Sequence, residues 1–174
     1  MSKAFKDFAK QAHWEHQYTQ DGPLINSVED HYVFVYGTLK TSFSRSSVLT
    51  AQEFIGFAET EFPHFVMYNN TKVKSSYPVA LIRPKHEAKA KLRGELFKVD
   101  TEIMYYLDMI ESNGELYKRT KQFVILNRSG EKCLAWIYLG YDELADLCDK
   151  GELPLLPKTR IVNQDYYQYL VTDQ

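Results

Sequence analysis

The stretch VFVYGTLK, Val33 to Lys40, decides how the rest of the chain is read. Large apolar residues (Val33, Phe34, Val35, Tyr36 and Leu39) surround a Gly-Thr pair, without the Pro, Asn or second Gly of an ordinary hairpin. Apolar side chains at both odd and even positions predict a strand over Tyr32 to Tyr36 that is covered on both faces. The single glycine that ends it permits a positive φ, or the close approach of a ligand to the backbone. Successive amides of such a turn can converge on an anion. No Gly-Lys-Ser/Thr follows, which excludes a nucleotide phosphate loop, and two further glycines of a dinucleotide fingerprint are missing. Taken alone, Tyr36-Gly37-Thr38-Leu39 is equally well a tight strand-end turn.

Working outward, further strands are expected at Phe54 to Ala58, Phe65 to Tyr68, Pro78 to Arg83, Arg93 to Val99, Lys121 to Leu126 and Cys133 to Tyr138. Asp100 is placed to cap a helix over Thr101 to Ile110, where Ile103, Leu107 and Ile110 recur at helical spacing. Arg128-Ser129-Gly130-Glu131 reads as a turn between two strands. A short helix from Tyr141 to Leu147 and a final Asp165 to Leu170 stretch close the chain. Many strands with few helices, in no regular alternation, give an α+β class rather than a doubly wound sheet. Ahead of this domain, residues 1–30 form an N-terminal extension. Phe5, Phe8 and Ala12 mark a helix over Ser2 to Gln17, and Tyr18 to Asp30, with its Asp-Gly-Pro, reads as a linker. The main domain is expected to run over residues 31–174.

The 174-residue chain can bury one sizeable core, and its net charge of −2 argues against a nucleic-acid partner. Lys85, Lys89, Lys91 and Arg93 cluster, but Glu87 and Glu95 interleave with them, as in a solvated loop. No apolar run approaches the roughly 20 residues of a membrane span, so no membrane partner is expected. The start of the chain lacks the apolar core of a signal peptide, and Cys133 and Cys148 lack metal-ligand spacing. They read as a reduced pair in a cytoplasmic protein. In that setting Asn69-Asn70-Thr71 is a chance match to a glycosylation acceptor. His13 and His16 are close enough on a helix to share a metal, yet no Cys or acidic third ligand stands near, and a surface or capping role is the plainer reading.

The second chemical element is LDMIESNGELYKR, Leu107 to Arg119. Glu111 falls four and seven residues after Leu107 and Met104, on their apolar stripe. A carboxyl at the end of such a stripe faces inward, where desolvation disfavours its charged form and raises its pKa. That suits a group which must take and return a proton near neutral pH. The plainer alternative is an exposed glutamate at a helix end. Asp108 lies elsewhere on the helix, with a capping role or a pairing with Arg119.

In order, these segments resemble the gamma-glutamylcyclotransferase family, and most closely its gamma-glutamylamine cyclotransferase branch. The resemblance rests on Tyr36-Gly37-Thr38-Leu39 after a strand, Tyr77-Pro78-Val79-Ala80, Gly94-Glu95-Leu96-Phe97, and Leu107-Asp108, Glu111, Tyr117 and Arg119. It implies a small mixed β-barrel flanked by helices. It also implies a small-molecule substrate with a gamma-glutamyl group, whose α-amine attacks its γ-carbonyl to give 5-oxoproline and a free amine. On this resemblance Glu111 is the general acid/base. Tyr36 and the amides of Gly37, Thr38 and Leu39 hold the glutamyl group, Tyr117 binds substrate or orients Glu111, and Arg119 locks its strand through a carboxylate. No metal or organic cofactor is implied.

The chain departs from the family at two places. Ser112 follows the glutamate where Gly is usual, and Lys40 to Arg45 replaces a loop that commonly carries Gly and Asn. That loop borders the leaving-group side. The alternative to catalysis is an inactive member of the fold that binds a small ligand or a protein. An ion pair closing Glu111 against Arg119 or Lys118 would favour that alternative.

Overall fold

The computed structural model describes residues 30–41, 45–71, 77–156 and 170–171, with Tyr77, Leu170 and Val171 described by their backbone alone. The expected N-terminal helix and nearly all of its linker lie outside the described residues, as does most of the Asp165 to Leu170 stretch. The strands are β1 (His31–Val35), β2 (Glu53–Thr60), β3 (Phe65–Asn70), β4 (Tyr77–Ile82), β5 (Lys91–Val99), β6 (Lys118–Leu126), β7 (Lys132–Leu139) and β8 (Leu170–Val171). The helices are α1 (Thr101–Ile110) and α2 (Glu143–Asp149).

Every strand and both helices expected within the described residues are present, with ends shifted by a few residues. The two-residue β8, on the edge of β5, has too little pattern to be read from sequence. The basic cluster divides: Lys91 and Arg93 belong to β5 rather than to a loop, and Lys91 Nζ meets Glu59 Oε1 at 2.7 Å. Cys133 and Cys148 are both free thiols.

Five strands close into a mixed barrel in the order β1-β7-β6-β2-β5, with β5 returning to β1. Four of the five pairings are antiparallel, and β1 with β7 is parallel, Val33 lying opposite Trp136. Closure leaves these five strands without a free edge. The β6–β7 hairpin turns at Gly130, whose φ of 72° suits glycine. The β3–β4 hairpin forms a separate two-stranded sheet.

Strand alternation sorts side chains between three apolar clusters. Phe34 of β1 and Tyr36 just beyond its end join Ala58, Leu96, Val124, Ala135, Ile137 and Leu139 in the largest, with Phe65, Met67 and Ala80 added by the β3–β4 hairpin. Val33 and Val35, on the opposite face of β1, pack with Phe97, Val99 and Tyr138 against Met104 and Leu107 of α1. Strand β1 is therefore buried on both faces, as its unbroken apolar run requires. The outer face of β3–β4 holds Val66, Tyr68, Val79 and Leu81, and Leu144, Leu147 and Cys148 of α2 pack there.

Gly94 sits where β5 crosses β1. A Cβ there would come within 2.2 Å of the Val35 carbonyl oxygen and 2.8 Å of the Phe34 ring. Backbone cannot move aside as the tip of a side chain can. Gly94→Ala should cost at least about 3 kcal/mol of stability in urea unfolding, at the severe end of overpacking. A loss below about 1 kcal/mol would show that β1 has room to shift.

Candidate active site

Strand β1 delivers the Tyr36 to Leu39 segment to one end of the barrel. Tyr36 is buried, and its hydroxyl donates to the Tyr138 carbonyl at 2.7 Å, fixing the end of β1 to β7. The chain then turns: Lys40 N donates to Gly37 O at 3.1 Å, and Arg45 N to Thr38 O at 3.0 Å. These bonds use carbonyls of the turn. Among the described residues, none accepts a hydrogen bond from the amides of Gly37, Thr38 or Leu39. Gly37 does not adopt a positive φ, so the first reason for a glycine there is corrected. The second is consistent with the geometry, since a Cβ at Gly37 would meet nothing within 4 Å. Glycine here keeps open the space beside the turn.

Glu95 secures the far side of the turn. It is buried, and its Oε2 accepts from Thr41 N at 2.8 Å and from Thr41 Oγ1 at 2.9 Å. Its signal in sequence is an acidic residue on the strand face that also carries Phe97 and Val99. Burial pulls the Lys40 ammonium below its ordinary pKa, against the attraction of Glu95.

The second half of the site is the end of α1. Asp100 begins the helix as expected, its Oδ1 accepting from Ile103 N at 2.8 Å. At the other end, Ser112 N donates to Met109 O at 3.2 Å and Asn113 N to Asp108 O at 2.8 Å. This bond pair closes a helix around a left-handed residue, and Ser112 has φ 47°. The serine that stands where the family usually has glycine thus occupies a glycine-favouring conformation. It ends the helix one residue after Glu111. Asn113 Oδ1 then accepts from Arg119 N at 2.8 Å, leading the chain into β6.

Glu111 is buried with Leu107 and Met104, which decides for the inward reading of its stripe over an exposed helix-end glutamate. Burial raises its carboxyl from 4.5 to about 7, while the charge of Arg45 draws it back. The Arg45 contact is long, 3.7 Å from Nη1 to Oε1. Neither Arg119 nor Lys118 closes on Glu111. Arg119 Nη1 meets Asp108 Oδ2 at 2.8 Å, and Lys118 Nζ meets Asp142 Oδ1 at 2.7 Å. Asp108 is completely buried and also accepts from the Tyr138 hydroxyl at 2.7 Å. Burial, and then the Asp108 charge, push the Tyr138 phenol well above its ordinary range, so it remains a donor. Of the two roles open to Asp108, a cap or a partner of Arg119, the structure shows the second. The Tyr117 hydroxyl donates to the Pro78 carbonyl at 3.0 Å, joining β6 to the Tyr77-Pro78-Val79-Ala80 segment of β4.

Sequence reasoning singled out Glu111 and the Tyr36 to Leu39 turn as candidates but not Arg45, which contacts both. Its amide holds Thr38, and its guanidinium reaches Ile110 O at 3.4 Å and Glu111. No local pattern marks a contact across 65 residues. Among the described residues, no group of three His, Cys, Asp or Glu side chains is placed to hold a metal ion.

The chain is similar to known proteins in sequence and in fold. A family model described as "Gamma-glutamyl cyclotransferase, AIG2-like" matches residues 33–159. A Methanocaldococcus jannaschii protein, provisionally named a gamma-glutamylcyclotransferase, is 30% identical over 122 residues, covering 70% of this chain and 93% of the relative. Gamma-glutamylaminecyclotransferase A of Danio rerio is 34% identical over 112 residues, 61% of this chain and 66% of the relative. The crystal structure of an AIG2-like protein from Mus musculus superposes with a TM-score of 0.59 at 20% identity, over 84% of this chain and 99% of the other.

Two stability measurements test the physical basis of the site. Asp108→Asn leaves Arg119 without its buried counter-charge and should cost about 3 kcal/mol in denaturant unfolding near neutral pH. Tyr138→Phe, which removes only a hydrogen bond, should cost about 1 kcal/mol. Comparable losses would assign the stabilisation to the phenol rather than to the charge. The second test concerns Glu111. Its pKa is raised on folding, so between 4.5 and about 7 the folded chain binds more protons than the unfolded one. Stability therefore falls as pH rises through that window. The interval from 4.5 to about 7 corresponds to on the order of 3 kcal/mol. Glu111→Gln cannot ionise, so between about pH 4 and about pH 8 its stability relative to wild type should improve by on the order of 3 kcal/mol. A pH-independent difference would mean that burial does not hold the proton.

Proposed function

This chain belongs to the gamma-glutamyl cyclotransferase, AIG2-like family, and on that premise we propose that it cyclises a gamma-glutamyl amine or gamma-glutamyl amino acid to 5-oxoproline, releasing the amine. The observation that carries the proposal is the buried Glu111 carboxyl, raised to about 7 and held at a helix end beside the Tyr36 to Leu39 turn through Arg45. A carboxyl in that range changes protonation with little cost near neutral pH, as a general acid/base must.

The steps follow from the groups present. The amides of Gly37, Thr38 and Leu39 receive an oxyanion of the glutamyl group, the α-carboxylate being the nearest in chemistry. Glu111, ionised, takes a proton from the α-ammonium, which has no lone pair until it does so. The freed nitrogen attacks the γ-carbonyl carbon, forming the ring C–N bond. Collapse of the tetrahedral centre breaks the bond to the leaving nitrogen, which collects the proton from Glu111. The ring nitrogen then gives its second proton to the ionised Glu111, which passes it to the released amine. This leaves a neutral lactam, an ammonium and Glu111 ionised again. Both reacting groups belong to one molecule, so holding it folded supplies the proximity that a bimolecular reaction lacks. Tyr36 and Tyr117 tie the strands that frame the site, through the Tyr138 and Pro78 carbonyls. Their side chains complete the surface against which the glutamyl group rests. The freedom of Glu111 from Arg119 and Lys118 supports catalysis over a pocket that only binds.

The decisive experiment is 5-oxoproline release from a panel of gamma-glutamyl amines and gamma-glutamyl amino acids. Wild type should turn over at least one of them. Its rate should rise with pH through about 7 as Glu111 becomes available as a base. Glu111→Gln, with folding intact, should lose about 100-fold to 10,000-fold in rate. Full activity in that variant would remove Glu111 from the mechanism. Binding without release by wild type would favour an inactive, ligand-capturing member of the fold.

A further inference from the structure

Arg45 is the one residue of the described site whose charge is open to solvent yet directed at Glu111. Its amide is fixed to Thr38 O, so it lies next to the turn that offers its amides. Its side chain is 51% exposed, whereas that of Glu111 is 10% exposed. The 3.7 Å contact between them exceeds the roughly 2.7–2.9 Å of a formed charge-assisted hydrogen bond. Both contacts of the guanidinium, to Ile110 O and to Glu111, use Nη1. The Nη2 and Nε donors have no partner among the described residues. A planar fork with unused donors suits a second carboxylate better than it suits the edge of Glu111 that it now approaches. Lys40, the other cation of this loop, is buried, with the Glu95 charge acting on it, and does not offer the same surface.

We propose that Arg45 is a specificity-determining residue that reads a carboxylate on the leaving half of the substrate, so that the chain prefers gamma-glutamyl α-amino acids to gamma-glutamyl amines without an acidic group. The inference rests on the cyclotransferase reading above and adds the class of its leaving group. Proton return requires the scissile nitrogen beside Glu111. In a gamma-glutamyl α-amino acid the carboxylate is attached to the carbon that follows this nitrogen. A carboxylate there arrives beside Glu111, within reach of a guanidinium already in contact with it. An isopeptide through a lysine side chain carries its carboxylate several bonds farther away. A polyamine brings positive charge towards Arg45, which opposes binding.

The test is a matched pair of compounds, gamma-glutamyl-alanine and gamma-glutamyl-ethylamide, which differ only by the carboxylate. For wild type, kcat/KM should favour the alanine compound by about tenfold to a hundredfold, the range of one hydrogen-bonded charge. In Arg45→Gln that preference should fall to within about threefold of unity, and Arg45→Lys should restore part of it. Circular dichroism and thermal melting establish that the variants are folded. Equal kcat/KM for the two compounds in wild type would overturn the proposal while leaving the cyclotransferase reading in place, as would a preference unchanged in Arg45→Gln. If wild type releases no 5-oxoproline from either compound, the cyclotransferase reading fails for both. Calorimetric titration of the same pair then judges Arg45 separately. Tighter binding of the alanine compound, lost in Arg45→Gln, supports carboxylate recognition, and equal affinities or no binding of either compound overturns it.

Discussion

The buried carboxylate of Asp108 is the constraint on which the rest of the site depends. One oxygen accepts from the Tyr138 hydroxyl of β7 and the other meets the Arg119 guanidinium of β6. Helix α1 is thus fastened to two adjacent strands by a group with no exposure to water. A charge so placed is tolerable only when it is paired and hydrogen-bonded, and in return it specifies one orientation of the helix. Arg119 is held from its other side as well, 4.7 Å from the Trp136 ring. Rotation of α1 about its axis would break these contacts before it moved any apolar side chain far.

Fixing Asp108 fixes Glu111. The two lie three residues apart on the same helix, and the left-handed turn at Ser112 closes that helix immediately beyond. The adjacent carboxyls acquire opposite characters from their surroundings. Asp108 receives a cation and a phenol at hydrogen-bond distance. Glu111 receives burial and one distant, half-exposed arginine, so its proton is retained to about 7. A carboxylate held by an ion pair and a carboxyl whose proton is retained by burial are thereby built on one turn of helix. The difference lies in their partners.

Strand β1 supplies the other constraint. Its two faces belong to different apolar clusters, and its end is tied to β7 through Tyr36 and to β5 through the contact at Gly94. The Gly37 to Leu39 turn therefore hangs from a strand that has little freedom to slide. Glu95, on the neighbouring β5, holds Thr41 and so limits the turn on its other side. The oxyanion role proposed for the turn's amides requires such support, because amides select an oxyanion only when they stay in place.

The sequence by itself determined the α+β class, the order of the elements and the two-sided burial of β1, and it placed Glu111 on an apolar stripe, where the structure then buries it. Each of these is a local statement: alternation along a strand, spacing on a helix, Asp100 as an N-cap. The pairing of Asp108 with Arg119 was also legible, since both stand in one short segment whose chemistry is complementary. Only the tertiary structure decided that β5 returns to β1 and closes the barrel. Only it showed that Gly37 leaves space rather than adopting a positive φ, and that Arg45 reaches Glu111 from a distant loop. Closure depends on which strand edges meet, and a charge finds its partner across space rather than along the chain. Side-chain periodicity records which face is buried. It does not record what lies on the other side of that face.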